Sequence, residues 1–360
     1  MSFTDKKREE IKKYLLRKIA VDDKDAIGKT MDNFGISVTS AKRYLNEAID
    51  NGVIDIAKTV ACGYRLREEK LCRTVNIADN QVSEDRIFDA YIAPRLSRCN
   101  GEAMKIWQYA CAEILNNAIE HSRGSNLCIE VNVNALYTQV VISDDGVGTF
   151  RTLLEYMSAN GWDNPREEDA LVELYKGKIT SNPSCHSGEG IFFSSKTLDE
   201  FALWSDKQMY KSGNGMPDKV IQTHLLSYAS RIQKIGTLVW MKLENQTERS
   251  ITEVFNMYTD MEQGFIKTSI PIKAACINGE PVARSQARRI CDRLETFKEV
   301  ILDFEGVEFM GQGFADELFR VYASAHPQVI LCPVNAIPDV ERMIRHVGRG
   351  HLPENIKWPC

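Results

Sequence analysis

The chain has 360 residues, 43% of them hydrophobic, 26% charged and 9% aromatic, with a formal net charge of -5. Those values fit a soluble globular protein of two or three domains, and so small a charge implies neither an acidic tail nor a general nucleic-acid coat. No apolar run approaches the ~20 residues of a membrane span, and the charged start MSFTDKKREE lacks a signal-peptide core, which predicts a cytoplasmic protein with no membrane association.

Residues 1–70 read as a compact helical unit ending in a hairpin. Ile11, Tyr14, Leu15 and Ile19 recur at helical spacing between basic residues. A second helix spans Asp25 to Phe34 and closes at Gly35. Ser37 or Thr39 then caps a third, whose apolar face is Ala41, Tyr44, Leu45 and Ala48. Asn51-Gly52 stops it, and Val53 to Leu66 supplies two strand-like runs. Short helices at a turn followed by a hairpin is the winged helix-turn-helix pattern. In it, Thr39, Ser40, Lys42, Arg43 and Asn46 face a DNA groove from the third helix, with Lys58, Arg65 and Arg67 on the wing. The unit carries 15 Lys and Arg against 12 Asp and Glu, a weak electrostatic footprint. DNA binding and protein contact both fit it.

Residues 71–105 read as a connector leading into the first helix of a central α/β unit, 106–245. Trp107 to His121 (WQYACAEILNNAIEH) has one apolar face built from Ala110, Ile114, Leu115, Ala118 and Ile119. Glu113 and Asn117 stand four apart and project from the same side, with His121 one turn further on. A carboxylate and an amide so placed can hold Mg²⁺ and its waters beside a phosphate chain, although E-x-x-x-N alone is common on solvated helices. Two strands follow, Cys128 to Asn134 and Gln139 to Ser143, the second ending in Asp144-Asp145-Gly146-Val147-Gly148. There Asp144 can accept from an exocyclic amine, and the glycines allow close backbone approach. A polar stretch from Thr149 to Cys185 carries Lys176 and Lys178, which can reach phosphates. His186-Ser187-Gly188-Glu189-Gly190 then opens an apolar run in the manner of an anion-binding helix start. Gly236-Thr237 begins the last strand, LVWMKL.

The ten cysteines are scattered without a C-x-x-C pair, so neither a zinc knuckle nor a redox dithiol is expected. Residues 263–350 alternate strand and helix: strands at Lys267 to Ala274, Val300 to Phe304 and Val329 to Cys332, helices at Ser285 to Phe297, Gly311 to Ser324 and Ala336 to His346. This predicts a small, mostly parallel α/β unit.

Taken in order, E113-x-x-x-N117, D144-x-G146-x-G148, G188-x-G190 and G236-T237 resemble the motifs of the GHKL superfamily of gyrase, Hsp90, histidine kinases and MutL. The phrase ILNNAIEHS is similar to the anti-sigma kinase branch. The resemblance implies a Bergerat-type α/β sandwich that binds ATP and Mg²⁺. It places Asn117 on the metal, Asp144 on adenine, Thr237 in support of that contact, and Gly146 and Gly148 under the base. Gly188 and Gly190 fall in the phosphate loop, with Lys178 and His121 beside the nucleotide and Glu113 polarising an attacking water. Asp145 departs from the pattern, standing where Asn is usual. The tail, EVILDFEGVEFMGQGFADELFRVY, resembles STAS-like domains, specifically the family DUF4325; its loop Phe309 to Gly313 lacks the serine that anti-sigma antagonists phosphorylate. The expected whole is an α/β multidomain protein: winged helix, GHKL sandwich, STAS-like domain. It reads as a regulator in which ATP controls DNA or protein binding. A slow ATPase or a Ser/Thr kinase of the anti-sigma type is the alternative. Resemblance further implies a homodimer and a protein partner for the STAS-like domain.

Overall fold

The computed structural model describes residues 3–78, 82–180, 188–212, 234–276, 279–348 and 351–358. His186 and Ser187, part of the expected phosphate loop, lie outside them, as do Cys185 and Cys360. The architecture is mixed α/β in several sheets.

Three helices open the chain: α1 (Asp5–Ala20), α2 (Ala26–Phe34) and α3 (Val38–Asp50). Their boundaries follow local chemistry. Thr4 accepts from the Lys7 amide to start α1, and Ser37 accepts from the Ser40 amide at 3.2 Å to start α3. Gly35 ends α2 at φ 62°, a left-handed cap that a β-carbon would strain. Ile11, Leu15 and Ile19 on α1 meet Ala41, Tyr44 and Leu45 on α3 in one small core. A hairpin of β1 (Ile54–Ile56) and β2 (Tyr64–Leu66) follows, antiparallel, with Ile54 opposite Leu66.

The centre is a six-stranded sheet, antiparallel throughout. Its strands are β3 (Glu69–Asn76), β4 (Asn126–Val133), β5 (Tyr137–Asp144), β6 (Glu200–Ser205), β7 (Gln208–Ser212) and β8 (Thr237–Glu244), in the order β3-β4-β5-β8-β6-β7. The stretch from 71, read from sequence as connector, thus contributes most of an edge strand; Leu71 is its core residue. Side chains alternate between two faces. Ile129, Val131, Val140, Ile142, Val239 and Met241 join the main core under the helices, while Cys128, Val141, Leu238 and Trp240 form a separate cluster.

Over the main-core face lies α5 (Gly101–Asn116), continued as a π turn over Asn117–His121. It begins earlier than periodicity suggested because the Asn100 side chain accepts from the Ala103 amide at 2.8 Å. Also present are the short α4 (Glu84–Ile87), α6 (Thr149–Ala159), α7 (Glu167–Lys176) and α8 (Gly190–Thr197). The helical unit of residues 5–66 docks at one end of the sheet. Leu136 and Tyr137 join its core, and Lys13 and Arg17 both pair with Glu244.

A short antiparallel pair, β9 (Thr259–Asp260) and β10 (Gly264–Phe265), leads to the C-terminal sheet. That sheet is parallel, in the order β11 (Lys267–Pro271), β12 (Glu299–Asp303), β13 (Ile330–Val334). Helices Arg284–Cys291 and Pro338–Val347 belong to this unit. Among the described residues no helix is long and apolar enough to cross a membrane.

Candidate functional site

Asp144 is the last residue of β5 and faces the helices, on the same side as Val140 and Ile142. Its neighbour β8 begins at Thr237, so both stand at one end of the sheet. From above, α5 lowers Glu113, Asn117 and His121 toward them. These residues line a cavity of about 280 Å³, with Gly148, Gly188, Gly190 and Thr237 on its other walls. That volume is just below the range for small-molecule sites, ~300–1,000 Å³. Asn117 and His121 stand in the π turn, a helix irregularity that recurs at functional positions.

Asp144 is 4% exposed. Burial lifts its carboxyl to about 6, against the opposing amides of Gly146 and Thr237; Asp145 adds to the rise and Lys234 reduces it. The Gly146 amide donates to Oδ1 at 2.9 Å. An ionised carboxylate has about four lone-pair sites. Two amides therefore leave capacity for a ligand's N–H, a fit with an amino-bearing base. Thr237 Oγ1 accepts from the Thr149 amide at 3.1 Å and lies 3.0 Å from Thr149 Oγ1. That links the start of β8 to the start of α6.

Two glycines are needed for steric reasons. A β-carbon at Gly190 would stand 1.9 Å from Glu113 Oε2, so only glycine leaves the Glu113 carboxylate in its present position. At Gly146 it would meet the Ser122 carbonyl oxygen at 2.1 Å. Gly146 is not among the cavity-lining residues; it acts on the site through the bond to Asp144.

Asp145 is a staple. It accepts from the amides of Ser125 (2.7 Å) and Asn126 (2.9 Å) and from Asn126 Nδ2 (2.8 Å), tying the end of β5 to the start of β4. Burial pushes its carboxyl up, but those bonds outweigh it and hold the group below the usual range.

Lys176 and Lys178 are placed differently from the phosphate-reaching expectation. Lys176 is 1% exposed and donates to Glu173 and to the carbonyls of Arg289 and Asp292. Lys178 donates to the Thr296 carbonyl at 2.8 Å and lies over the Phe297 ring, and it does not line the cavity. Burial lowers its pKa, partly offset by Glu189. Residues that motif reading passed over include Ser122, Thr149, Thr152 and Thr180, all lining the cavity. For Ser122, Thr149 and Thr152, positions close to EH and DDGVG in the sequence were the available signal.

No group of three or more His, Cys, Asp or Glu suited to a metal occurs among the described residues. Asn117 offers too few oxygens to retain a divalent ion unaided, but enough to share Mg²⁺ with phosphate oxygens and water, which leaves the Glu113 carboxylate to act on one of those waters.

At the other end of the sheet, Thr39, Lys42, Arg43 and Asn46 are exposed along α3, and Ser40 is half-covered. On the hairpin Arg65 and Lys58 are exposed, whereas Arg67 is engaged with Asp55 at 2.7 Å.

Residues 286–341 match the STAS-like domain of unknown function, DUF4325. No curated protein matches the chain. Within the STAS-like domain, Phe309 is exposed and the stretch to Gly313 carries no hydroxyl.

Proposed function

We propose that this chain is an ATP- and Mg²⁺-binding regulator built from a winged helix-turn-helix (1–70), a GHKL-type nucleotide domain (106–245) and the STAS-like domain. One observation carries the reading. Residues far apart in sequence (Glu113, Asn117 and His121; Asp144 and Gly148; Gly188 and Gly190; Thr237) share one cavity. The order of motifs in the chain did not require this. In this reading Asp144 takes the adenine amine, Thr237 and Gly146 hold it in place, and Asn117 shares Mg²⁺ with the phosphates. Gly188 and Gly190 bring backbone amides to the phosphate chain at the start of α8, where the helix dipole favours negative charge.

Glu113 supports a second reading, slow hydrolysis. Its carboxylate lines the cavity against Gly190, where a water beside the terminal phosphate is within reach of a base. Transfer to a protein hydroxyl is less favoured, because the STAS-like loop 309–313 has none to offer.

The winged helix sits at the far end of β5 and β8, ~25 Å from the nucleotide at strand rise. Regulation requires that ATP bind two arrangements of the protein with different affinity. The decisive test is calorimetric titration of the full chain with Mg²⁺-ATP, together with DNA retention on filters with and without nucleotide. Binding that Asp144→Asn abolishes supports the proposal. A wild-type chain that takes up no ATP refutes it.

A further inference from the structure

Helix α7 has two working faces. One reaches the cavity: Leu174 lines it, as do Ile179 and Thr180 just beyond the helix. The other is buried against the C-terminal unit. Arg289, from helix Arg284–Cys291, donates to Asp169, and Arg293 pairs with Glu173 at 3.3 Å. Lys176 pairs with Glu173 at 2.5 Å and donates to the carbonyls of Arg289 and Asp292. Thr268 of β11 donates to the Lys176 carbonyl at 2.9 Å, and Lys178 continues the series at Thr296.

These are not surface pairs. Glu173 and Lys176 are 3% and 1% exposed. A charge taken so far out of water persists only while its partners stay in place. The network therefore holds α7 to the STAS-like domain in a fixed position, not as a loose contact. Arg289 also carries a buried Nη1 with no partner among the described residues. An unfilled buried donor is a cost that a second arrangement can relieve.

We infer that the STAS-like domain sets the affinity of the nucleotide site by clamping its α7 wall through Asp169, Glu173 and Lys176. The inference rests on the ATP reading above and adds its regulation. A wall already ordered by the clamp does not have to be ordered by the nucleotide, so the clamp strengthens binding. Linkage makes the effect reciprocal: bound nucleotide tightens the clamp, and whatever displaces helix Arg284–Cys291 from α7 expels nucleotide.

The test uses the full chain, with Mg²⁺-ATP affinity by calorimetry and amide hydrogen exchange over residues 167–176 and 284–291. Two variants loosen the clamp away from the cavity: Arg293→Gln, at an arginine 39% exposed, and Asp169→Asn. Exchange in β4 and β5, in the same core as α7 but away from the seam, checks that each still folds. The expected result is roughly tenfold weaker ATP binding in both variants, within the usual span of allosteric coupling. In wild type, ATP should slow exchange in 284–291, and that response should shrink in the variants. Wild-type affinity in both variants, with unchanged exchange at 284–291 on ATP addition, overturns the inference and leaves the ATP reading standing. If wild type binds no ATP, the ATP reading fails and this inference with it. Faster exchange of 167–176 in Arg293→Gln would then still locate the clamp.

Discussion

Replacing Asp144 by Asn should separate stability from binding. The native carboxyl titrates near 6, against 3.8 for the ordinary side chain, because burial disfavours its charge. Between those values the native state holds more protons than the unfolded chain, so stability falls as pH rises through that window. Above it, a shift of about two units corresponds to ~3 kcal/mol of destabilisation from keeping the carboxylate ionised. Asparagine keeps an acceptor for the Gly146 amide and removes the charge. The variant should therefore melt several degrees higher than wild type at pH 7.5, as a gain of ~2–3 kcal/mol implies. The gap should narrow toward pH 5, where wild type is protonated. Mg²⁺-ATP should raise the melting temperature of wild type alone, and its effect should weaken below pH 6 as the acceptor is lost. Differential scanning fluorimetry across pH, with and without nucleotide, measures both. A variant less stable than wild type at pH 7.5, with a gap independent of pH, would refute burial as the dominant cause.

Four further outcomes are expected. Glu113→Ala should leave ATP binding within a few-fold of wild type and remove any turnover of γ-labelled ATP, since a base acts on the reaction and not on affinity. Gly190→Ala places a β-carbon on Glu113 Oε2, so that carboxylate must swing away; turnover of γ-labelled ATP should fall at least tenfold, with a stability loss in urea melts below the ~1–3 kcal/mol of overpacking a rigid core. Asp145→Ala deprives three donors at the β4–β5 end of their acceptor and should lower unfolding free energy by ~1–2 kcal/mol in urea melts. If the N-terminal unit binds DNA, Lys42→Ala with Arg43→Ala should weaken it and flatten the dependence of log affinity on log salt by about one to two units.

The N-terminal helices were readable residue by residue. Ser37 as cap, Gly35 as stop and the apolar spacing on α1 act over three or four neighbours, so the local sequence sets them. The same holds for Asp144, placed at a strand end by the alternation of β5. Asp145 was undecidable from sequence because its partners, Ser125 and Asn126, come from the preceding strand. Strand β3 was misjudged for a similar reason: Glu69 to Asn76 has little apolar alternation, and it is a strand because β4 offers its ladder. The match to the STAS-like family, by contrast, was already visible in the tail's own residues.

Sequence by itself therefore determined the elements whose spacing and caps act within a few residues, such as α1 to α3 and the body of α5. It did not reveal β3, or α6 and α7 inside the stretch read only as polar, because those depend on the surfaces they pack against. Only the tertiary structure decided what the charges do. Nothing near Lys176 and Lys178 in the chain distinguishes a lysine that waits for phosphate from one whose hydrogen bonds end on carbonyls more than a hundred residues downstream. A cation's role is set by which acceptors surround it once water is excluded, and that is fixed when the units pack.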